Sequence, residues 1–261
     1  MLRRLSAEQQ RSVRHWVMEF VVVVAGVLLA LWLQQWDQRR RERVEMQAAE
    51  QSIHDEIREA LKSLIWRQAI SKCHQDRIEL LQAGLLHGSS HWPGVEENAL
   101  FTNLGNLPGN VARSVYHRPI DTFTDAAWTS ALATGALSSM NRERFDTLVS
   151  VYDRIHFLQK TRELEDHAAT TLSPLGWPIE LTPEIRNEML RAVYDIDRSR
   201  FTFAFMNARE LAATMRQLGW DDRAEIDRAI ADNQRDMAER GLKVRPCIAP
   251  EQNPFRSPAN R

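Results

Sequence analysis

The sequence is poor in residues that interrupt regular structure, and it has no excess of charge of either sign. Ten glycines and ten prolines are few for 261 residues, which disfavours a β protein with many turns. Lys and Arg number 34 against 35 Asp and Glu, so no overall basic field is present to hold nucleic acid. With 43% apolar and 26% charged residues, the composition is that of a folded chain. We therefore predict an all-α fold and no nucleic-acid partner.

Cysteine is also scarce, since Cys73 and Cys247 are the only two in the sequence. Two cysteines cannot by themselves supply a disulfide framework or a four-ligand zinc site. If the domain is periplasmic, a bond between Cys73 and Cys247 is open to it, because that compartment is oxidising. Two unpaired thiols are the state that we favour from the sequence.

Motifs for known chemistry are missing as well. The sequence has no G-x-S-x-G elbow, no Walker loop and no glycine-rich turn after a strand. Cys73 and His74 are adjacent, and neighbours in a helix do not face each other. His and carboxylates at one-turn spacing do not form the paired motif of metal-binding bundles; these pairs are Asp153 with His156, Glu163 with His167, and Glu50 with His54. We predict no catalytic residue, no metal site and no cofactor.

The sequence does contain one long apolar run near its start. The fourteen residues from Phe20 to Leu33, FVVVVAGVLLALWL, carry no charge, and Trp16 and Trp36 bound a span of 21 residues. At 1.5 Å per residue this span is about 31 Å long, which matches the thickness of a bilayer core. Glu19 lies in its first turn, within reach of the headgroups, and the two tryptophans suit the membrane interface. We predict a transmembrane helix over residues 16–36.

Two alternatives to a permanent anchor are a cleaved signal peptide and a buried core helix. The first lacks a small-residue cleavage site after the run, and the second rarely has Trp at both ends. Arginines flank the span equally on both sides: Arg3, Arg4, Arg11 and Arg14 before it, and Arg39, Arg40, Arg41 and Arg43 after it. A short basic tail, here residues 1–15, usually stays in the cytoplasm. We therefore favour a single-pass inner-membrane protein whose C-terminal domain is periplasmic.

The segment around the span predicts contacts with lipid and leaves a homodimer open. The cluster from Arg39 to Arg43 lies where each cation gains about 1 kcal/mol from anionic lipid, which favours a stop-transfer or anchoring role. Gly26 and Ala30 are four residues apart, a spacing that lets two spanning helices approach closely. The lipid bilayer is thus the first partner that the sequence predicts.

In the run from Met18 to Asp37, the residues that match a known signature include Glu19, Gly26, Ala30, Leu31 and Trp36. Met18, Trp32, Gln35 and Asp37 are among the residues that depart from it. The signature is G-E-hydrophobic-x-L-V-V-x-G-hydrophobic-hydrophobic-hydrophobic-A-L-Q-x-N-N-W-N-E. On these residues the chain resembles a widespread family of bacterial single-pass proteins of unknown function. A helical segment from Ala126 to Tyr152 extends the resemblance loosely. The resemblance implies a membrane-anchored helical protein without an assigned activity.

Beyond the membrane, the sequence predicts a stalk helix over residues 37–86. The segment contains no proline and a single glycine, Gly84. Apolar residues keep a three-four spacing along it: Met46, Ile53, Ile57, Ala60, Leu64, Ile78, Leu81 and Leu85. The same register places four polar residues inside, which disfavours a long coiled coil: Glu50, Arg67, Ser71 and His74. We expect the outer half of the stalk to pack as one member of a helical bundle.

An antiparallel bundle of four or five helices is predicted over residues 87–244, completed by the stalk. Residues 87–120 form its irregular segment because glycine and proline cluster there. Cap signals place the later helices: Asp121 or Thr124 to Ala133, with Gly135 after it; Ser139 or Asn141, then Arg142 to Leu172; Thr182, then Pro183 to about Leu218, with a break near Asp195 to Arg200; and Asp221 or Asp222 to Arg240. Residues 245–261, rich in proline, are predicted to form a flexible tail.

These features favour an interaction, scaffold or sensor protein of the cell envelope without catalytic activity, which binds another protein. One alternative is a small-ligand-binding module, with residues 87–120 closing over a pocket between helices. Another is an enzyme of unrecognised type, metal-dependent through the histidines and acid of the irregular segment: His87, His91, His117 and Asp121. Aromatic residues late in the chain, together with Met206, are predicted to lie in the core and not in a ligand site: Trp128, Phe201, Phe203 and Phe205.

Overall fold

The computed structural model describes residues 7–94, 115–116, 119, 123–206, 208–239 and 247–256. Within these residues the chain forms six α-helices: α1 Ala7–His87, α2 Ala126–Thr134, α3 Arg142–Thr171, α4 Pro183–Phe205, α5 Ala208–Gln217 and α6 Arg223–Glu239. A short 3-10 helix, Ser173–Gly176, follows α3. Two strands of two residues, β1 His91–Trp92 and β2 Ile179–Glu180, pair antiparallel. The predicted all-α class is confirmed, and this small strand pair is an addition to it.

The 81 residues of α1 divide into an unpacked half and a packed half. In the first half the apolar side chains from Met18 to Trp36 are exposed, and the helix is long and apolar enough to cross a membrane. In the second half, Ile53, Ile57 and Ala60 are fully buried, and this three-four spacing continues to Leu85. One uninterrupted helix therefore joins an exposed apolar segment to the core of a folded domain.

Helices α1 and α3 run in the same direction, and α4 runs antiparallel between them. Arg186 at the start of α4 donates to the carbonyl of Leu85 near the end of α1, whereas Phe203 near its end packs on Arg67. Three contacts in the same order along α1 and α3 show that these two are parallel: Glu50 with Arg144, Glu56 with Tyr152, and Arg67 with Glu165. The packing of α4 antiparallel to both α1 and α3 is compatible with the antiparallel bundle that the sequence predicts, in which alternate helices run in the same direction.

Two clusters of buried apolar side chains fill the domain at successive levels of α1. The first surrounds Ile53 to Ile65 and includes side chains of α2, α3 and α5. The second surrounds Ile78 to Leu85 at the end of α1, which we call the distal end, and includes the start of α4 and Trp92. Because α1 contributes side chains to both clusters, it is the central helix of the domain.

Several predicted helix ends are confirmed by their capping geometry. The side chain of Asn141 accepts a hydrogen bond from the amide of Glu143 at 2.8 Å, and that of Thr182 accepts from Ile185 at 3.3 Å. Gly135 follows α2 with φ of 70°, a left-handed conformation that favours glycine. The long helix predicted from Pro183 is interrupted, but at Met206 and not near Asp195, so α4 and α5 are separate helices.

Helix α2 is capped by a residue from another helix. Neither predicted cap starts it: Asp121 lies outside the described residues, and α2 begins after Asp125, whose side chain makes no capping bond. Instead, Glu56 of α1 accepts hydrogen bonds from the Thr124 hydroxyl at 2.7 Å and the Ala127 amide at 3.3 Å. Its second oxygen accepts from the Tyr152 hydroxyl at 2.7 Å. One carboxylate therefore ties α1, α2 and α3 together.

We expect Glu56→Ala to lower the free energy of unfolding by about 2–4 kcal/mol. The change removes a cap worth about 1 kcal/mol and leaves the Tyr152 hydroxyl without its acceptor, which costs about 1–3 kcal/mol. Urea denaturation of the purified chain, followed by near-ultraviolet circular dichroism, measures the loss. Glu188→Ala, on the exposed face of α4, is the matched control and is expected to cost less than about 0.5 kcal/mol. Equal effects of the two changes would contradict this role of Glu56.

The predicted flexible tail is wrong for residues 247–256, which pack against the domain. Phe255 is buried in the first core cluster, and the amide of Ala249 donates to the carbonyl of Ala69 at 2.8 Å. Arg256 pairs with Asp227 of α6 at 2.6 Å. Proline-rich composition predicted mobility here, but one aromatic side chain that enters the core outweighs it. The rest of the predicted tail lies outside the described residues.

Candidate functional site

The predicted anchor residues that the structure describes lie on an exposed helix surface. Trp16, Glu19 and Trp36 are exposed, and a Cβ added to Gly26 meets no atom within 4 Å. Ala30 and the arginines that follow the span are exposed too: Arg39, Arg40, Arg41 and Arg43. Arg41 pairs with Asp37 at 2.8 Å, and the Arg40 guanidinium lies 5.9 Å from the Trp36 ring. The first two turns after Trp36 therefore present four exposed cations.

An exposed polar stretch of α1 separates the apolar segment from the packed domain. Residues 37–45 are exposed, and at Met46 the helix contacts the described part of the domain through a hydrogen bond from the Ser139 hydroxyl to the Met46 sulfur, at 3.4 Å. Met46 is ten residues beyond Trp36, which corresponds to about 15 Å along the helix. If the apolar segment spans a bilayer, the domain stands clear of the headgroups.

Two of the histidines considered as metal ligands, His54 and His156, instead join pairs of structural elements. His54 contacts Asp222 at 2.8 Å and stacks on Trp220, whose ring lies 4.6 Å away. His156 contacts Asp125, the residue before α2, and this hydrogen bond lowers the pKa of the Asp125 carboxyl. The residues that helical spacing paired with these histidines do not form metal sites with them. Asp153, Glu163 and His167 are exposed on α3, and Glu50 pairs with Arg144. His54 and His156 therefore each face one carboxylate.

The remaining metal candidates fall in or near the irregular segment. His91 contacts Glu180 across the strand pair at 2.9 Å, on the surface. His87 is exposed at the end of α1. His117 and Asp121 lie outside the described residues, as does most of the loop that was expected to close over a ligand. Among the residues that the structure describes, no group of three metal-ligating side chains is present.

A disulfide joins Cys73 of α1 to Cys247 in the C-terminal segment. The two unpaired thiols that we favoured from the sequence are therefore incorrect, and the alternative is the state found. The bond lies next to the Ala249 to Ala69 hydrogen bond, so the segment is held to α1 at neighbouring positions. At its other end Phe255 enters the core with the Arg216 guanidinium 5.9 Å from its ring. The C-terminal segment thus contacts α1, α5 and α6 and holds them together.

A buried polar network lies beside the disulfide. Arg67 donates to Glu165 at 2.6 Å, and both side chains are almost inaccessible, at 3% and 0% exposed. The other oxygen of Glu165 accepts from the Tyr116 hydroxyl at 2.8 Å, which in turn lies 3.0 Å from Nδ1 of His74. Burial, and then the charge of Glu165, raises the pKa of Tyr116 well above its usual value, so its hydroxyl stays protonated. The guanidinium of Arg67 also lies 3.5 Å above the Phe203 ring.

Sequence reasoning found half of this network. The apolar register of the stalk placed Arg67 and His74 inside, and both are buried. Glu165 and Tyr116 were missed, although Glu165 does lie in the buried stripe of α3. A charged residue in an apolar stripe is the signal that was available, because a buried charge requires a partner of opposite sign.

The predicted core aromatics divide into two groups. Trp128 and Phe203 are buried, as expected. Phe201 and Phe205 are instead among the most exposed apolar side chains of the domain, at 64% and 76%. They face outward because they are two residues away from Phe203 on either side, and such neighbours lie on opposite faces of a helix. For these two residues the core prediction is wrong.

Comparison with known proteins gives no relative on which to rest an assignment. No family model, no curated protein and no solved structure matches this chain. The resemblance carried by residues 18–37 therefore stays a prediction.

Proposed function

We propose that this chain is a single-pass membrane protein whose helical domain works outside the cytoplasm as a non-catalytic interaction module. The observation that carries the proposal is α1 itself. Its exposed apolar segment belongs to the same helix that forms the centre of the domain, so the anchor and the module are mechanically continuous. An apolar surface of this size is costly in water and suits the interior of a bilayer.

The disulfide supports an extracytoplasmic domain. Bonds of this kind persist in the periplasm and are rare in the cytoplasm, where reductants keep thiols reduced. Flanking arginines balance each other and do not decide the orientation, but the bond between Cys73 and Cys247 favours the cytoplasmic side for the N-terminus. The resemblance to single-pass bacterial proteins agrees with this arrangement.

The buried charged side chains make contacts that stabilise the fold, which favours an interaction module over an enzyme. Arg67, Glu165 and His74 are held by each other and by Tyr116, inside the protein, and not at the bottom of a cleft. The carboxylate of Glu56 caps a helix, and His54 joins α1 to the turn before α6. These groups stabilise a rigid set of helices, which is what a docking platform requires.

Membrane extraction and topology reporters test the proposal. We expect the full chain to stay in membranes after carbonate extraction, with a C-terminal alkaline phosphatase fusion active and a green fluorescent protein fusion dark. Leu28→Arg with Leu29→Arg is expected to release the chain, because each arginine costs about 3 kcal/mol at the centre of a span. Val44→Arg, beyond the span on the same helix, is the matched control.

The outcomes separate the two parts of the proposal. Extraction of the unaltered chain by carbonate would contradict the anchor. A fluorescent C-terminal fusion with an inactive phosphatase would contradict the orientation, and both cysteines would then be expected to react with a maleimide without prior reduction.

A further inference from the structure

The C-terminal segment contains a turn that is stabilised by its own atoms. The amide of Arg256 donates to the carbonyl of Asn253 at 3.1 Å, which closes a turn of four residues. The amide of Phe255 donates to the side-chain oxygen of Asn253 at 2.9 Å, and the ring of Pro254 fixes φ at the second position. We call residues 253–256 the Asn-Pro-Phe-Arg turn. Because these bonds lie within the turn, a short peptide of the same sequence can form them too.

Asp227 of α6 binds both polar side chains of the Asn-Pro-Phe-Arg turn. The Asn253 amide group donates to one oxygen of Asp227 at 2.8 Å and to the carbonyl of Arg223 at 2.9 Å. The Arg256 guanidinium donates to the other oxygen of Asp227 at 2.6 Å. The bond from Arg256, and then the bond from Asn253, lowers the pKa of the Asp227 carboxyl, and the charge of Arg223 acts in the same direction. One charged carboxylate therefore recognises an amide and a cation together.

The two apolar residues of the turn, Pro254 and Phe255, are buried. Phe255 is only 1% exposed and shares the first core cluster with Met215 of α5 and Ile226 of α6. The Arg216 guanidinium lies 5.9 Å from the centre of the Phe255 ring, a cation over an aromatic face. We call the surface of α5 and α6 that holds the turn the α5–α6 site. All four side chains of the turn are accommodated there.

The rest of the C-terminal segment is less enclosed than the turn. Between the disulfide and the turn, Ala249, Pro250 and Gln252 are exposed. The bond between Cys73 and Cys247 tethers the segment a few residues before the turn, so the turn docks as an intramolecular ligand. Short flexible tethers give effective concentrations of about millimolar. A turn held in this way keeps its site filled with only moderate intrinsic affinity.

We propose that the α5–α6 site is a peptide-binding site for a turn with the sequence Asn-Pro-Phe followed by a cation, which the chain's own segment fills as an intramolecular ligand. The partner is a protein segment with the same turn, and it competes with residues 253–256. Asparagine and phenylalanine supply specificity through Asp227 and the apolar surroundings of Phe255, and the self-stabilised turn lowers the cost of ordering the ligand. This inference rests on the proposed interaction function and names the site and the chemistry of its partner.

Fluorescence anisotropy of a labelled peptide tests the proposal. The probe is the capped peptide Glu-Gln-Asn-Pro-Phe-Arg, the sequence of residues 251–256, and the protein is the purified full chain in detergent. Phe255→Ala removes the main apolar contact of the chain's own turn. We expect saturable binding to this variant and binding weaker by about tenfold or more to the unaltered chain, whose own turn competes. Peptides with alanine in place of asparagine or phenylalanine are expected to bind the variant about tenfold more weakly.

Substitution of Asp227 tests the polar half of the site. In the Phe255→Ala chain, Asp227→Asn is expected to weaken peptide binding by about tenfold, because it removes the charge to which the asparagine and arginine of the peptide donate. The matched control is Asp232→Asn, an exposed acid of the same helix that pairs with Arg235 at 3.3 Å. This control is expected to leave the affinity for the peptide unchanged.

A second measurement needs no substitution in the site. The amide of Ala249 donates to the carbonyl of Ala69, so its hydrogen exchange reports release of the chain's own segment. In the unaltered chain with its disulfide reduced, we expect the peptide at millimolar concentration to speed this exchange by about threefold or more, because it displaces the turn. The same peptide with alanine in place of both asparagine and phenylalanine is expected to have no effect. This measurement decides the matter if the Phe255→Ala chain does not fold.

Three results would overturn the proposal: a folded Phe255→Ala chain that does not bind the peptide, equal binding of the alanine peptides, or equal effects of Asp227→Asn and Asp232→Asn. Unchanged exchange at Ala249 would do the same. Each of these results shows a segment with a structural role alone and leaves the anchor and its orientation standing. Carbonate extraction of the chain or a fluorescent C-terminal fusion would contradict the proposed function, whatever the affinity for the peptide.

Discussion

Replacing both Cys73 and Cys247 by serine is expected to lower the free energy of unfolding by about 3–5 kcal/mol. The disulfide joins residues 174 apart, so it closes nearly the whole domain into one loop. In the chain-entropy account a loop of about 100 residues already gains about 4.7 kcal/mol, because the bond restricts the unfolded chain. Urea denaturation of the purified full chain in detergent, with and without the two substitutions, measures the difference.

Two controls separate the bond from the contacts around it. Reductant is expected to destabilise the unaltered chain to the level of the serine variant and to leave that variant unchanged. Hydrogen exchange at the Ala249 amide, which bonds to Ala69, is expected to become faster when the bond is absent, since only Phe255 and its neighbours then hold the segment. A denaturation midpoint that does not respond to reductant would contradict the prediction.

Local signals in the sequence were sufficient to place most helix ends. Asn141, Thr182 and Gly135 each satisfy a backbone requirement within a few residues of themselves, so their role depends little on the rest of the fold. The end of α2 that depends on a distant residue was misjudged. Its cap is Glu56, about 70 residues earlier in the chain, and no local pattern reveals such a partner.

The features of the candidate site that the sequence did not predict depend on pairs of residues that are far apart in the sequence. The apolar register showed that Arg67 is buried, but many carboxylates could have balanced it, and Glu165 is 98 residues away. The disulfide was undecided for a similar reason, since its formation depends on whether the last segment folds back onto α1. Phe255 decides this point, and a lone aromatic near four prolines carries no such signal in the sequence.

The three phenylalanines of α4 show that residue type alone can predict burial wrongly where the helical phase predicts it correctly. Phe201, Phe203 and Phe205 were assigned to the core together because aromatic residues are usually buried. At 100° per residue, Phe203 lies on the opposite face from the other two, so the three cannot all be buried in one helix. A helical projection anchored on Val193 and Ile196 would have placed Phe201 and Phe205 at the surface.

Glu165→Gln is expected to cost about 3–5 kcal/mol of unfolding free energy, because it removes the charge that balances Arg67 in the interior. Both side chains are desolvated, so breaking the pair leaves a buried cation without its carboxylate, the costly case for a buried ion pair. Tyr116 would also lose its charged acceptor. The matched control is Glu210→Gln, which breaks the exposed pair between Arg154 and Glu210 and is expected to cost less than about 1 kcal/mol.

Replacing both charged residues by apolar ones tests whether the ion pair itself stabilises the fold. The double variant Arg67→Met with Glu165→Leu removes the buried charges together, and buried pairs replaced in this way often keep or gain stability. We therefore expect it to recover most of the loss caused by Glu165→Gln in the same urea denaturation. Equal losses of unfolding free energy for Glu165→Gln and Glu210→Gln would contradict the importance of burial. A double variant as unstable as Glu165→Gln would instead show that the pair itself, with its bonds to Tyr116 and the Phe203 ring, stabilises the fold.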